Sequence, residues 1–482
     1  MSNLSELLPS GGGQNLVEFV ASGTLPNGKP VILNSNGTVS VISESTVSGS
    51  LGSADVFNNN TSGHTGVAML SATKAIVVYE DTGNSGYGTA CVLDISGSTI
   101  TSGTEVVFNG ALTESYLSIT PLSSTKAIAV YRDGNNSHYG KACVLTASGS
   151  TITAGTQKSF NNASTGFTTA ARLTDTKAIV VYQDNGNSNY GTSCILDVSG
   201  STITSGTELI FNNGTTVETT VAMLTSTKAI VVYRDISNSS YGTSCILDVS
   251  GSTITSGTEV VFNSASTLEG MAVSMLTSTK AIAAYKDTNS YGTSCILDVS
   301  GSTITAGTEV VFNSAQSEWI SLAGLTSTKA IVAYRDYGNS HYGNYCSLDV
   351  SGSTITAGTE LTYNSALANE NSVARLTDTK AIVTYKNWGN SNYGTANVIN
   401  VEYLQSTLTA TNLIGIASEA TSSGDTAKIN TWGGINEAQT SLTIASDYYA
   451  QTDGTITTVS TSPAQKLGTA INATTINMKD LT

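Results

Sequence analysis

Along most of the chain, short apolar runs rich in Val, Ile, Ala and Tyr alternate with stretches of Gly, Ser, Thr and Asn, and no segment spaces its apolar residues as a helix would. β-branched and aromatic residues bracketed by turn formers predict strands. From Val221 onward the pattern reads as four of them. Strand a is "VAML", followed by the turn "TSTK"; strand b is "AIVVYRD", followed by the loop "ISNSS". Strand c is "YGTSCILDVS", followed by the turn "GSTIT"; strand d is "GTEVVFN".

The phrase that carries strand b recurs. It is "TKAIVVYED" at Thr73, "TKAIAVYRD" at Thr125, "TKAIVVYQD" at Thr176, "TKAIVVYRD" at Thr227, "TKAIAAYKD" at Thr279, "TKAIVAYRD" at Thr328 and "TKAIVTYKN" at Thr379. Its lysines, Lys74, Lys126, Lys177, Lys228, Lys280, Lys329 and Lys380, are 52, 51, 51, 52, 49 and 51 residues apart. Periods of this size mark solenoids, propellers or arrays, and four short antiparallel strands per period fit a kelch-like propeller. The ends of the array decide between an open and a closed form. The last a-b-c set ends near "YGTANVINVEY" with no strand d after it, whereas "ESTVSGSLGSADVFNNN", from Glu44, supplies a strand d ahead of the first set. An N-terminal strand d would complete the final blade, and closure removes exposed sheet edges. The expected fold is all-β: a seven-bladed β-propeller over residues 45–403, closed by its N-terminal strand d, and a discontinuous small β-domain, barrel or sandwich, built from residues 1–44 and 404–482. In that domain "VILNSNGTVSV" and "YYAQTDGTITT" read as two versions of one hairpin, each around an Asn-Gly or Asp-Gly turn.

Chain direction places the d-to-a connections and the b-to-c loops on one face of the ring, and the a-to-b and c-to-d turns on the other, together with both terminal segments. The turns barely change between copies ("TSTK", "TDTK", "SGSTIT"), whereas the first face varies freely, as in "GALTESYL", "NASTGFTT" and "SAQSEWIS". Binding concentrates on loops held by a rigid scaffold. Trp319, Trp388, Tyr337, Tyr116, Phe167, His138 and His341 all fall on this face among Gly, Ser and Asn, and form the candidate ligand-binding set. Aromatic rings stack on the apolar faces of sugars, and amides hydrogen-bond their hydroxyls. Glu114, Glu218, Glu269, Glu318 and Glu370 lie at near-equivalent places by the innermost strands and read as a solvated acidic rim. The repeat lysines read as solvated turn residues or contacts to the terminal domain.

Composition narrows the chemistry. Only 11% of the 482 residues are charged and the net charge is -15, which argues against nucleic-acid binding. No apolar run approaches the ~18 residues of a membrane span, and "MSNLSELLPSGGG" has neither the basic nor the apolar region of a secretory signal. Cys91, Cys143, Cys194, Cys245, Cys295 and Cys346 each occupy the same place in a repeat, so they read as small buried apolar residues and not as a disulfide framework; Asn397 stands there in the seventh copy. Three histidines, no Ser-His-Asp order, no Gly-rich phosphate loop and no clustered metal ligands lead to the expectation of no catalytic residues, no metal, no cofactor and no enzymatic activity. Asp235 and Asp336 stand alone in their loops and read as turn caps, not calcium ligands.

The terminal segments carry a resemblance. "NLVEFVASGTLPNGKPVILNSNGTVSVI" and, at the far end, "NLIGIASEATSSGDTAKINTWGGINEAQTSLTIASDYYAQTDGTITTVSTSPAQKLGTAINATTINMKD" resemble domains of tailed-bacteriophage virion proteins, especially fibre and structural proteins of marine phages. The resemblance implies a virion component, assembled in the host cytoplasm and exposed on the particle exterior. It would be joined to other virion proteins through the terminal β-domain and be homo-oligomeric, with a trimer in keeping with a fibre. A fibre, spike or decoration protein presenting its propeller to a host-surface glycan or protein is the resulting expectation. A structural decoration protein without a ligand and a sialidase-like glycan-processing enzyme are the alternatives.

Overall fold

The computed structural model describes residues 16–460, 463 and 465–478; the opening stretch read above for an export signal lies outside them. Contacts divide the chain into residues 49–402 and a second unit made of residues 1–48 with 403–482.

Within residues 49–402 the strand quartet repeats and forms a β-propeller. In the fourth copy strand b is Lys228–Asp235 and strand c is Tyr241–Ser250, paired antiparallel from Lys228↔Asp248 to Asp235↔Tyr241. Strand d comes in two pieces. Thr253–Ser256 folds back on the end of strand c; the chain then steps outward, and Val260 resumes the pairing opposite Ser244. The d-to-a segments, read above as loops, are strands. In six copies strand d runs unbroken into strand a of the next blade, as in Leu209–Thr225 and Val310–Thr326; only Val260–Ser266 and Ala272–Thr277 are separate. The Asn of each "FN" braces the crossing: Asn212 donates to Thr216 Oγ1 at 3.0 Å and accepts from the Gly214 amide at 3.0 Å. Polar residues here serve the backbone, which is why the sequence looked like loop.

The pairings close on themselves. The last strand c, Tyr393–Asn400, takes Ser50–Leu51 and the start of Asp55–Ser71 as its strand d. Val56 pairs with Thr395 in the sheet where Val383 pairs with Asn397. Three departures from the repeat serve this closure. The closing segment has Ala54 where five other copies have Glu and one has Gln157, and Asn397 replaces the usual Cys. Asn397 accepts from Tyr385 Oη at 2.8 Å and donates to the Gly52 carbonyl at 3.2 Å. Asn400, in place of the usual Asp, donates to the Ser50 carbonyl at 3.3 Å.

Cores lie between neighbouring blades. One combines Ile230 and Ile246 of the fourth with Ala281, Tyr285, Cys295 and Leu297 of the fifth. Each large aliphatic side chain buried this way contributes about 1.5–3 kcal/mol. All six cysteines are buried and free. The "YG" that opens strand c has a packing reason: a Cβ on Gly191 would lie 2.5 Å from the Phe211 ring, so only glycine lets the strand-d aromatic lie flat on strand c. The repeat lysines are not free turn residues. Lys228 pairs with Asp248, which also accepts from Ser302 Oγ of the next blade at 2.5 Å. The same clamp joins Lys177, Asp197 and Ser252, where the serine bond is 2.6 Å.

The terminal unit contains two five-stranded antiparallel sheets. One has the order Leu16–Val20, Thr426–Asn430, Leu413–Ala417, Pro30–Leu33, Val39–Val41; the other Ile435–Asn436, Thr475–Asn477, Gln465–Asn472, Asp447–Ala450, Ile456–Thr457. Both predicted hairpins form. The likeness extends further: Gly415 and Gly468 occupy matching places, and a Cβ on either would collide with a carbonyl oxygen of the adjoining strand, Asn430 or Asn477. The unit is thus a structural duplication whose halves share a core containing Ile32, Leu413, Tyr448, Leu467 and Ile476.

Candidate functional site

Where strand b hands over to the b-to-c loop, the facing strand a bulges. Its register jumps between Gly63 and Gly66, Val217 and Thr220, and Glu318 and Ser321. Ten residues before each repeat lysine stand His64, Tyr116, Phe167, Glu218, Gly270, Trp319 and Glu370. All seven have positive φ, from 45° at His64 to 76° at Tyr116. A left-handed backbone costs a residue other than glycine about 1–2 kcal/mol, and strain held at equivalent places is a reason to look for a function there. These seven, with Thr65, Leu117, Glu269, Glu318 and Asn371, line one cavity of about 520 Å³. The innermost strands neighbour one another around the ring, and bonds between adjacent blades fix the bulges. Thr65 Oγ1 donates to the Glu370 carbonyl at 2.7 Å, and Asn371 Nδ2 to the Trp319 carbonyl at 3.2 Å.

The wall differs around its circumference. Tyr116 and Phe167 form a tilted ring pair with centroids 4.4 Å apart. Glu218 Oε2 accepts from the Gly270 amide at 3.0 Å, and burial holds its carboxyl above the ordinary range despite that bond. Glu370 Oε2 is buried without a hydrogen bond; its nearest basic neighbour, His64 Nδ1, is 3.4 Å away. Burial pushes the Glu370 carboxyl up to about 7, with Lys386 opposing. Burial also lowers His64, which Glu80 counters and Lys386 reinforces. Glu318 is the reverse case. Burial acts to raise it, but the hydrogen bond from Gln316 and the charges of Arg335 and Lys286 hold it below the usual range. The acidic side chains are therefore not a uniform solvated rim: Glu370 is 11% exposed and Glu269 is 69% exposed.

The seven candidate residues separate. Tyr116, Phe167 and Trp319 line the cavity. Tyr337 stands behind it: its hydroxyl donates to Glu318 Oε2 at 3.2 Å, the Arg335 guanidinium lies 4.8 Å over its ring, and His341 meets it edge-on at 4.1 Å. His138 Nδ1 lies 2.8 Å from Glu114 Oε2, which also pairs with Arg132 at 3.0 Å. Trp388 is apart from these, 52% exposed, with Lys386 Nζ 5.9 Å over its ring. His138 and His341 occupy left-handed positions of their loops, where Asn189 and Ser240 stand in other copies. Asp235 and Asp336 cap those loops through the Ser237 amide at 3.0 Å and the Gly338 amide at 2.8 Å. The aromatic signal in the sequence missed His64, Glu218, Gly270 and Glu370 as equivalents of Trp319. Counting back from each lysine aligns all seven.

No protein-family model and no curated protein matches the sequence. Solved structures do match in fold. The BP39L lectin from Burkholderia pseudomallei is similar with a TM-score of 0.51 at 8% identity, over 72% of this chain and 98% of that one. A mutant of the Aleuria aurantia lectin AAL, solved in complex with Fucα1-6GlcNAc, aligns with a TM-score of 0.42 at 13% identity, over 64% of this chain and 98% of its own. A mutant of AofleA from Arthrobotrys oligospora aligns with a TM-score of 0.44 at 9% identity, over 68% of this chain and 93% of its own. At such identity the likeness to the Burkholderia lectin establishes the β-propeller fold, in agreement with the pairings above.

Proposed function

We propose that this chain is a non-catalytic, glycan-binding β-propeller whose ligand enters the cavity at the centre of the ring. One observation carries the reading. The position ten residues before the lysine is different in nearly every copy (His, Tyr, Phe, Glu, Gly, Trp, Glu), while the Lys, Tyr and Gly of the framework are kept in all seven. Structural demand alone favours glycine at a left-handed position. Six bulky or polar side chains held there, all facing one cavity, fit a site that gains from diverse walls. Aromatic rings with flanking carboxylates suit a sugar, which offers an apolar face and a hydroxyl edge together. The likeness in fold to the Burkholderia pseudomallei lectin supports the class of ligand. The finer reading is a phage fibre, spike or decoration protein, fixed to the particle or to sister chains by the terminal unit, with many copies supplying avidity for the host surface. It rests on the resemblance of the terminal segments.

Glycan-array binding of the whole chain, followed by titration of the best sugar, tests the proposal. Phe167→Ala and Trp319→Ala are each expected to weaken binding about tenfold or more, the effect of losing roughly 1.4 kcal/mol of stacking. An array on which nothing binds, or two variants that bind as well as the parent chain, overturns it.

A further inference from the structure

Resting on the glycan reading, we propose that the sugar taken at the centre of the ring carries a cationic nitrogen: an amino sugar with a free amine, in preference to a neutral or acidic one. Among the described residues, the side chains lining the cavity include Glu218, Glu269, Glu318 and Glu370, and neither lysine nor arginine. Four of the cations just behind them are already engaged. Arg335 pairs with Glu318, Lys286 lies 3.8 Å from Glu269 and 3.7 Å from Glu318, Arg132 pairs with Glu114 at 3.0 Å, and Arg234 donates to the Leu268 carbonyl at 2.6 Å.

Glu370 is the unmet group. Its Oε2 is buried without a hydrogen bond. The ionisable groups around it are His64 on the neighbouring inner strand, Glu80 on that blade's strand b, and Lys386 on its own strand b. Burial raises Glu80 as well, with His64 countering and Glu370 adding to the rise. A buried carboxylate without a hydrogen bond is costly, and an ammonium donating to it satisfies both charges. The aromatic walls favour the same ligand, because the ring faces of Tyr116, Phe167 and Trp319 attract a cation beside an apolar surface. A neutral sugar would offer Glu370 hydroxyl hydrogen bonds but no countercharge, and an acidic one would be repelled.

The test titrates the whole chain with three oligomers of matched length: glucosamine, N-acetylglucosamine and galacturonate. The expected order is glucosamine tightest by tenfold or more, and galacturonate weakest. Glu370→Gln keeps the shape and removes the charge, so it should erase the preference; Glu218→Gln is the second variant should the first fail to fold, and should reduce the preference. A permanently cationic N-trimethylated oligomer separates protein from ligand titration. Its affinity should fall as pH drops below about 7, because Glu370 must ionise to bind it, and should stop doing so in Glu370→Gln. Equal binding of glucosamine and N-acetylglucosamine, with Trp319→Ala weakening both, overturns this inference and leaves the glycan reading standing. Absence of binding by all three oligomers overturns this inference alone; absence of binding across the glycan array as well overturns both.

Discussion

Phe57→Ala tests whether the ring is shut by its own opening strand. Phe57 is 4% exposed. Its ring lies on Gly394 of the last strand c and 5.1 Å from Tyr79 of the first blade. One side chain thus joins three parts of the closure. Truncating a buried Phe costs about 3–5 kcal/mol, and loss of the tilted aromatic pair, worth about 0.5–1.5 kcal/mol, puts the expectation in the upper half of that range. Phe211→Ala is the internal control. It is 5% exposed, packs 5.3 Å from Tyr233 and covers Gly191 in the same way, but joins blades that are consecutive in sequence. Urea unfolding followed by tryptophan fluorescence should give losses that agree within about 1 kcal/mol. Hydrogen exchange in Phe57→Ala should show Asp55–Thr61 losing protection together with Tyr393–Ala396. A full loss in Phe211→Ala beside less than about 1 kcal/mol in Phe57→Ala would refute the closure, because the opening strand would then not be packed where the pairings put it.

Backbone strain at the cavity gives a reversed ranking: at Trp319, where φ is 51°, a Gly variant should be about 1 kcal/mol more stable than an Ala variant, opposite to the order in an ordinary strand. Differential scanning calorimetry of the two proteins measures it, and Ala above Gly would remove the strain argument. Tyr182 donates to Glu208 at 2.8 Å, whereas Tyr131 Oη is buried without a partner because Gln157 binds the Phe108 carbonyl instead. Tyr182→Phe should therefore cost about 1–2 kcal/mol and Tyr131→Phe close to nothing, compared by urea midpoint. Burial alone would raise Asp197 and Asp248, but hydrogen bonds from the repeat lysines and the neighbouring serines hold both carboxyls below their usual range. Their contribution to stability is present above the unfolded value of about 3.9 and is lost as pH falls through the lower folded values. The melting temperature of Asp197→Asn/Asp248→Asn should decline less steeply below pH 4 than that of the parent, and parallel curves would count against the clamps. Burial pushes the Cys194, Cys295 and Cys346 thiols up to about 12, so a thiol reagent at pH 8 should label them only after denaturant is added; prompt labelling would contradict their placement.

Most of the architecture was legible because the repeat presents each strand seven times, and the missing strand d at one end matched a spare one at the other. The crossings were not legible. "FNNGTTVETT" has the composition of a loop, yet its polar atoms brace a continuous strand, as Asn212 does through Thr216 and Gly214. The lysines were misjudged for a related reason: a charged residue beside a turn looks solvated until its partner, such as Asp248 at the far end of the paired strand, is known. At the site, aromatic residues pointed to Tyr116, Phe167 and Trp319, since rings in polar surroundings stand out. His64, Glu218, Gly270 and Glu370 share no chemistry with them. They are united only by one backbone position, which becomes visible when the copies are aligned on the lysine.

The closing bond from Asn397 to Gly52 spans 345 residues. At about 5–20 residues per second of synthesis, the leading strand waits roughly 17–70 s for its proper mate. Six near-identical strands emerge from the ribosome before it, each a tempting wrong companion. Asn397 and Asn400 then act as an address: they answer the Gly52 and Ser50 carbonyls with side-chain amides that a Cys and an Asp do not possess. A chain made of copies thereby tells its final copy from the rest, and restoring Cys and Asp there would be felt first as misassembly on the nascent chain, before any weakening of the finished protein.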